Sequence, residues 1–459
     1  MSKYIGYFLG VFVLGFVCVI YLHADVSESS HYVTSETCKD CHQSNYDSWK
    51  KNTLHPYMFR PVKSPDDLLG DFESDDPALT FTKEDVEFVV GNKWEQVYVR
   101  MIDGEYYPLP AKWYVMQNRW VPYKVNDWHE VPMSKKCNGC HTTGFDPATY
   151  EFSEFGIGCE ACHGAGNKHV QNKKRIVAEP CKWCHANEAK ILSKKKDIIR
   201  SVSPTVCGQC HNRGQNAPKD GLHGAEFNFP VNFTPGGDIE KALVPLTPEM
   251  DKKGKFWWGN GIAKNRHQEF GDWSKSKHAN AVKRLKEKYE KGTHRGELTD
   301  ECLYCHSTDF RHHDKDKPEK PTLDTAKFGV TCVACHEPHG RDKEFPHVGD
   351  GITQCGGCHV DSMSHSVAKS GKRHYPCPTS MVTCADCHMP RIVKTGGFYS
   401  IRSHRFKIVT PEEAQKNNMP SSCQNGGCHE KNTEAWAIDA YKKHYPKNSN
   451  AEQVNNEAG

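Results

Sequence analysis

The sequence predicts a mainly α-helical chain with extensive loops, a small β-rich insertion near residues 80–125 and an N-terminal transmembrane helix. Three observations lead to this prediction. Only 37% of the 459 residues are hydrophobic and the mean hydropathy is −0.74, which is poor material for one large core. The pattern C-x-x-C-H recurs along the chain, and residues 4–22 form an uncharged, mostly apolar run. We therefore expect short elements held together by something other than apolar side chains.

The repeated pattern indicates what holds these short elements together. Nine copies of C-x-x-C-H and a stretched tenth, CQNGGCH, use 20 of the 22 cysteines. A C-x-x-C pair alone also occurs in zinc half-sites, redox pairs and disulfide frameworks, but none of these requires histidine after the second cysteine. Two thiols can bond to one haem while that histidine ligates its iron. The sequence thus predicts ten covalent haem c groups, with the helices and loops wrapped on a haem stack.

The attachment residues follow directly from the motifs. The predicted attachment cysteines are Cys38, Cys41, Cys137, Cys140, Cys159, Cys162, Cys181, Cys184, Cys207, Cys210, Cys302, Cys305, Cys332, Cys335, Cys355, Cys358, Cys384, Cys387, Cys423 and Cys428. The predicted proximal iron ligands are His42, His141, His163, His185, His211, His306, His336, His359, His388 and His429.

The remaining histidines supply the sixth iron position. There are 27 histidines in all, more than the 20 that ten doubly ligated irons need. The strongest candidates are His55 and His278, which follow a tryptophan, His169 and His339, which follow the motif histidine in each repeated phrase, and His404, which follows CADCHMPR. The predicted distal ligands are His55, His129, His169, His223, His278, His339, His365, His374, His404 and His444, with His267, His312, His313 and His347 in reserve and Met363, Met389 and Met419 as methionine alternatives.

The N-terminus predicts an address outside the cytoplasm. Residues 4–22 are long enough to cross a bilayer, whereas a cleaved signal usually has a shorter apolar core. We expect an uncleaved single-pass anchor, with a cleaved signal and a lipoprotein at Cys18 as alternatives. Each places the haem region in the periplasm or outside, with the cytoplasmic membrane as a partner through this helix.

Haem-free and haem-rich stretches alternate along the chain. FGIGCEACHGAGNKHV and FGVTCVACHEPHG occupy the second place in two sets of four motifs, which indicates a tetrahaem module used twice. A DG turn between Val- and Tyr-rich runs predicts a hairpin in the insertion. The predicted divisions are 1–24 (anchor or signal), 25–60 (first haem and Trp/His motif), 61–130 (β-rich insertion), 131–215 (module 1), 216–300 (connector), 301–395 (module 2) and 396–459 (tenth-haem segment).

Charge argues against a nucleic-acid partner. The formal charge is +3, and ten haems with their propionates would each add about −1, giving roughly −7. Many basic side chains are then needed as propionate partners. We expect redox proteins as partners, and homo-oligomerisation is left open.

At CNGCHTTGFD with GIGCEACHGAGNKH, and at CVACHEPHG and CADCHMPR, the sequence resembles the multihaem cytochromes grouped with the tetrahaem cytochrome of ammonia oxidisers. More distantly it is similar to hydroxylamine oxidoreductase and octahaem tetrathionate reductase. The resemblance implies parallel and perpendicular haem pairs with mainly bis-histidine iron, and it supports His169, His339 and His404 as distal ligands.

Two classes of function fit these residues. The expected one is a membrane-anchored extracytoplasmic decahaem cytochrome that relays electrons between a quinol-oxidising partner and periplasmic acceptors, since surplus histidines close the irons. The alternative is a reductase or oxidase of a small nitrogen or sulfur compound at one five-coordinate haem; no catalytic residue is predicted. Leftover Cys377 is open between a sulfur ligand or nucleophile and a buried thiol.

Overall fold

The computed structural model describes most of the chain between residues 31 and 445. The described residues are 31–178, 197–217, 224–231, 233–294, 296–313, 319–340, 355–359, 377, 382–424 and 428–445. The helices are α1 (Ser35–Asn52), α2 (Met133–Lys136), α3 (Asn138–His141), α4 (Cys159–His163), α5 (Asn167–Ala178), α6 (Thr205–Gly208), α7 (Glu269–Ser274), α8 (Ala281–Glu290), α9 (Leu303–His306), α10 (Thr308–Arg311), α11 (Cys384–His388), α12 (Pro411–Lys416) and α13 (Glu434–His444).

Most of these helices are single turns, and several are made by the C-x-x-C-H motifs themselves. α4 and α11 each begin at the first cysteine of a motif and end at its histidine. Because residues three apart lie on the same face of a helix, one turn presents both thiols of a motif to the same side. α1 is longer, and it bends at His42, whose φ of −120° and ψ of 39° are not helical. The motif chemistry therefore determines where the local helices form.

The β-rich insertion is a five-stranded antiparallel sheet in which strands follow one another in sequence order. Asp103 and Gly104 join its two longest strands with φ values of 50° and 82°, the left-handed conformations that a tight hairpin turn requires. Tyr98 and Trp120 are fully buried between this sheet and the preceding loop. The strands are β1 (Arg60–Pro61), β2 (Phe88–Val90), β3 (Glu95–Ile102), β4 (Glu105–Tyr114) and β5 (Arg119–Pro122).

Three two-stranded ribbons complete the strands of the described part. They pair β6 with β7, β8 with β9 and β10 with β11, all antiparallel. The ribbon strands are β6 (Thr142–Thr143), β7 (Glu154–Phe155), β8 (Gly214–Asn216), β9 (Leu243–Pro245), β10 (Arg391–Thr395) and β11 (Phe398–Arg402).

The prediction of a mainly α-helical chain is wrong. Strands connect the motif helices as well as filling the insertion, so the architecture is a mixture of short helices and short strands. The physical reason is that each motif needs only one helical turn, and the Val-, Ile- and Tyr-rich pieces between motifs pair as ribbons.

The predicted transmembrane helix is not supported. Residues 4–22, where it was expected, lie outside the described residues. Within the described ranges no helix has the length and apolar character needed to cross a bilayer. The longest of them, α1, carries charged side chains such as Glu36, Lys39 and Asp40.

The apolar side chains of the described residues form several small clusters rather than one core. One lies under the five-stranded sheet, and another surrounds Trp257, Trp258 and Ile392. A smaller cluster joins Val282 of α8 to Leu303 of α9. These clusters border a large internal cavity, which agrees with the low hydrophobic content of the sequence.

Candidate haem sites

A connected cavity of about 6180 Å³ runs through the described part of the chain. Ordinary ligand pockets have volumes of about 300–1,000 Å³, so this space could hold several large cofactors. Nine of the ten predicted motifs place cysteine or histidine side chains on its wall. The motif at Cys181, Cys184 and His185 lies outside the described residues. The residues present therefore fit a row of covalently attached haems.

Four motif histidines face a second histidine across this cavity. A metal–nitrogen bond is about 2.0 Å, so two imidazoles on opposite sides of one iron have ring centres about 6 Å apart, counting about 1 Å from each nitrogen to its ring centre. The four observed pairs are His42 with His169 (6.3 Å, planes at 22°), His163 with His339 (6.0 Å, 6°), His336 with His404 (6.1 Å, 27°) and His359 with His278 (6.0 Å, 75°). Each spacing is what one iron between two imidazoles requires.

Backbone contacts orient several of these rings for ligation. Nδ1 of His163 lies 2.7 Å from the carbonyl oxygen of Ile199, and Nδ1 of His404 lies 3.1 Å from that of Arg402. Because a carbonyl oxygen only accepts, Nδ1 carries the proton and Nε2 is left as the metal-binding nitrogen. Burial also lowers the pKa of His163, and it lowers that of His278 to about 4. Both rings are thereby kept in the neutral form that binds iron.

Three further motif histidines have another histidine in their electrostatic surroundings. His55 is buried, which lowers its pKa to about 4, and nearby His211 lowers it further. In the same way His141 contributes to the lowered pKa of His267. His294 does so for His306. Each of these three motif histidines thus has another histidine in its region of the cavity wall.

Two of these three partners were not among the predicted distal ligands. His267 was held only in reserve, and His294 was not singled out. Nδ1 of His294 lies 3.2 Å from the carbonyl oxygen of Gly296, which again leaves Nε2 available. A signal was present, because His294 is the one histidine between His278 and Cys302.

Three other predicted ligands contact aromatic rings. His129 stacks edge-on against Trp128, and His444 stacks against Tyr445. His429 contacts Trp436, with ring centres 4.7 Å apart. Predicted ligands outside the described residues are His185, His223, His365 and His374.

One motif histidine carries a charged neighbour. Nδ1 of His211 lies 3.5 Å from a carboxylate oxygen of Glu269, at the start of α7. This ion pair raises the pKa of His211 to about 9 and lowers that of Glu269 to about 2, against the effect of burial on both. A carboxylate next to the nitrogen that does not bind the metal makes the ligating histidine a stronger electron donor to that metal.

Cysteines of different motifs lie near one another throughout the described part of the chain. Cys38 neighbours Cys159, Cys140 neighbours Cys210, Cys207 neighbours Cys332 and Cys305 neighbours Cys358. Cys162 also lies near Cys207, Cys335 near Cys358, Cys355 near Cys384, and Cys387 near Cys423. Each motif of the described part therefore neighbours at least one other.

The first repeated phrase is locked to the tryptophan segment that precedes it. The indole Nε1 of Trp49 donates to the carbonyl oxygen of Ile157 at 3.1 Å, and the amide of Ile157 donates to the carbonyl oxygen of His55 at 2.9 Å. The amide of Gly158 donates to Oγ1 of Thr143 at 2.8 Å. The segment, the phrase and the motif between them thus form one hydrogen-bonded unit.

The second phrase repeats these bonds atom for atom. Nε1 of Trp273 donates to the carbonyl oxygen of Val330 at 2.8 Å, and the amide of Val330 donates to the carbonyl oxygen of His278 at 2.9 Å. The amide of Thr331 donates to Oγ1 of Thr308 at 2.8 Å. The hydrogen bonds around the two phrases are therefore equivalent, while the division into two tetrahaem modules stays a prediction.

The repeated geometry also includes the motif before each tryptophan. Tyr46 follows His42 by four residues within α1, while the amide of Phe270 donates to the carbonyl oxygen of His211 at 3.0 Å across the connector. In the first set the chain continues along α1 from the motif histidine to the aromatic residue. In the second set the connector lies between the two equivalent residues. The contacts relate the motif set at Cys38, Cys137 and Cys159 to the set at Cys207, Cys302 and Cys332.

Comparison with known proteins gives matches to multihaem cytochromes. A family model described as "Cytochrome c554 and c-prime" matches residues 117–164 and 264–337, and one described as "Doubled CXXCH motif" matches residues 325–364. The C-type polyheme cytochrome OmcC of Geobacter sulfurreducens is 25% identical over 147 residues, which cover 25% of this chain and only 18% of that protein.

Two solved structures are similar. The crystal structure of the Outer Cell Wall Cytochrome OcwA matches with a TM-score of 0.70 and 29% identity, covering 90% of this chain and 86% of that one. The undecaheme cytochrome from the S-layer of Carboxydothermus ferrireducens matches with a TM-score of 0.48 and 18% identity, covering 90% and 60%. The narrower grouping with hydroxylamine oxidoreductase and octahaem tetrathionate reductase stays a prediction.

These findings correct the predicted location. A single-pass protein of the cell membrane was expected, but no described helix can span a bilayer. The cytochrome that matches over most of this chain carries a title that assigns it to the outer cell wall. The anchor at residues 4–22, and the membrane contact through it, are therefore not supported.

Proposed function

We propose that this multihaem c-type cytochrome holds ten covalently attached haems and relays electrons outside the cytoplasm. The succession of neighbouring motifs carries the proposal, because it brings cofactor edges together from the motif at Cys38 to the stretched motif at Cys423 and Cys428. Bound haem supplies a reversible one-electron couple. The chain supplies the order, the ligands and the surroundings of those couples.

The main line of the relay is the one along which motifs adjoin end to end. It runs through the motifs that begin at Cys38, Cys159, Cys207, Cys332, Cys355, Cys384 and Cys423. Cys41 and Cys428, at the two ends, are exposed, whereas the other described motif cysteines are partly covered. Electrons can thus enter and leave at opposite ends of the line.

Two motifs branch from this line. Cys140 adjoins Cys210, and Cys305 adjoins Cys358. The branches occupy equivalent places in the two repeated sets. They therefore offer lateral connections to the motifs at Cys207 and Cys355.

Paired histidines support electron transfer over substrate chemistry. An iron with two protein ligands has no vacant position, so it changes charge without binding a substrate. We assign His169, His339, His404 and His278 as the distal ligands of the motifs at Cys38, Cys159, Cys332 and Cys355, with support from the ring spacings. His55, His267 and His294 take the same role for the motifs at Cys207, Cys137 and Cys302.

The site of action is assigned beyond the cytoplasmic membrane. The similarity to a cytochrome whose title places it in the outer cell wall supports this location. We assign a quinol-oxidising system of the cytoplasmic membrane as the electron source and redox partners farther out as the acceptors.

The test combines haem counting with carbon monoxide binding. Intact mass and the pyridine haemochrome spectrum of the purified protein should give ten haems per chain. Carbon monoxide should leave the Soret band of the dithionite-reduced protein unchanged, because paired ligands close each iron. Fewer haems would contradict the count. A shift of the Soret band when carbon monoxide is added to the unmodified protein would favour a reductase with a five-coordinate haem.

A further inference from the structure

The two branch motifs, at Cys137 and Cys302, occupy equivalent positions but differ in how far other residues shield them from solvent. In both, the residue after the first cysteine is buried, Asn138 in one and Leu303 in the other, with exposures of 1% and 0%. The next residue is Gly139 in the first, and the ring of Phe229 lies directly against it, where a Cβ atom would come within 2.0 Å. In the second it is Tyr304, whose side chain is 52% exposed.

The reason for this difference lies in the inserted segments. Between His55 and Cys137 the chain forms the five-stranded sheet, which covers the first branch motif. Between His278 and Cys302 the described residues form α8 and a short 3-10 turn at Asp300–Cys302. The second branch is therefore left close to the surface.

Two motifs meet beneath Tyr304. The guanidinium of Arg311 lies 5.2 Å from the Tyr304 ring centre, and its Nη1 lies 3.3 Å from Sγ of Cys358. Cys305 and Cys358 are neighbours at this point. Tyr304 and Arg311 thus lie between solvent and the point where the branch joins the main line.

The helix beside this point is basic. α8 packs Val282 into the cluster that also holds Leu303 and buries Leu285, while Lys283 on the same helix is exposed. From residue 275 to residue 291 the chain has seven Lys and Arg side chains and two acidic ones. The cations are Lys275, Lys277, Lys283, Arg284, Lys286, Lys288 and Lys291.

These cations have more like-charged neighbours than oppositely charged ones. Burial lowers the pKa of Lys277, and the nearby charges of Arg284 and Lys288 lower it further. The ion pair found within α8 joins Lys283 to Glu287 at a long 3.9 Å. Asp300 and Asp324 lie near Lys286 at one edge of the helix. A concentration of like charge beside a redox centre favours an oppositely charged partner.

We propose that Tyr304, Arg311 and the outer face of α8 form a lateral docking surface for an acidic redox protein. This surface exchanges electrons with the relay at the junction of the motifs at Cys302 and Cys355, and so the inference rests on the proposed electron-transfer function. The partner is a protein with carboxylates around its own cofactor, because a helix of ten residues spreads its cations over a length of about 15 Å.

The test measures reduction of the full-length holoprotein by stopped flow. The probe is a reduced plant-type ferredoxin, an acidic [2Fe–2S] protein, and reduced methyl viologen serves as a cationic comparison. The variant K283E/K291E reverses two exposed cations of the face without touching a predicted ligand. K252E/K253E makes the same change in net charge at exposed residues outside the face. Haem content and the optical spectrum establish that each variant is assembled.

At low ionic strength K283E/K291E should reduce the ferredoxin rate constant about tenfold, and the difference should vanish near 1 M salt, where the Debye length is about 3 Å. Viologen should reduce the variant at least as fast as the natural chain, and K252E/K253E should retain the ferredoxin rate. An unchanged rate in K283E/K291E, or an equal fall in K252E/K253E, would overturn the docking surface. If neither reductant reduced the natural chain, the electron-transfer function itself would fail.

Discussion

Replacing His339 with alanine should open one iron and leave the others closed. The ring centres of His163 and His339 are 6.0 Å apart and their planes differ by 6°. An iron midway would lie about 3 Å from each centre, so the substitution removes the whole ligand on one side while His163 stays in place. With ten haems per chain, carbon monoxide should bind about one tenth of the haem, and the Soret change should have that amplitude.

A second substitution at the same position distinguishes the effect of an empty coordination position on the iron from the effect of a different ligand. His339→Met should keep the iron six-coordinate and insensitive to carbon monoxide, while raising the potential of that one haem, because histidine–methionine ligation favours the reduced state. Spectroelectrochemical titration would detect a component of about one tenth of the amplitude moving upward.

The matched control is His129→Ala, which removes a predicted ligand that the structure places against Trp128. It should not create carbon monoxide binding. If H339A stayed insensitive to carbon monoxide, or if H129A responded equally, the assignment of ligands from ring spacing would be refuted.

Three other predictions test separate parts of the molecule. Glu269→Gln should raise the potential of the haem at the His211 motif, since the carboxylate stabilises the more positive oxidised state; redox titration showing a fall or no change would contradict this. Trp273→Phe should lower the free energy of unfolding by about 1–3 kcal/mol, because the partly buried carbonyl of Val330 loses its donor; denaturant titration of holoprotein measures it, and Trp49→Phe should cost a similar amount. His294→Ala should open one iron to carbon monoxide, and an unchanged Soret band would remove His294 from the ligands.

Local chemistry made part of the molecule predictable. The spacing C-x-x-C-H fixes a single helical turn, so the positions of α4 and α11 follow from sequence. The DG pair at Asp103 and Gly104 requires left-handed backbone, so the central hairpin of the sheet follows as well. In each case the deciding interaction lies within a few residues.

The pairing of histidines could not be predicted in this way. His163 and His339 are neighbours in the cavity although their motifs belong to different copies of the repeat. No local pattern encodes such a contact, because it depends on how the copies pack. His294 differs, because it is the one histidine between His278 and Cys302 and could have been chosen from the sequence.

The order of ligands along the repeat implies that the copies assemble as an interlocked series. His163 of the first copy faces His339, which follows the motif of the second copy, and His336 of that copy faces His404, beyond the motif at Cys384. Each iron of this series is thus closed by a histidine from a later segment of the chain. His404→Ala should therefore open the iron at His336 while leaving the iron at His163 closed, and combining it with H339A should double the haem fraction that binds carbon monoxide to about two tenths. A double variant that bound no more than either single variant would mean that both substitutions open the same iron, and the interlocked order would be wrong.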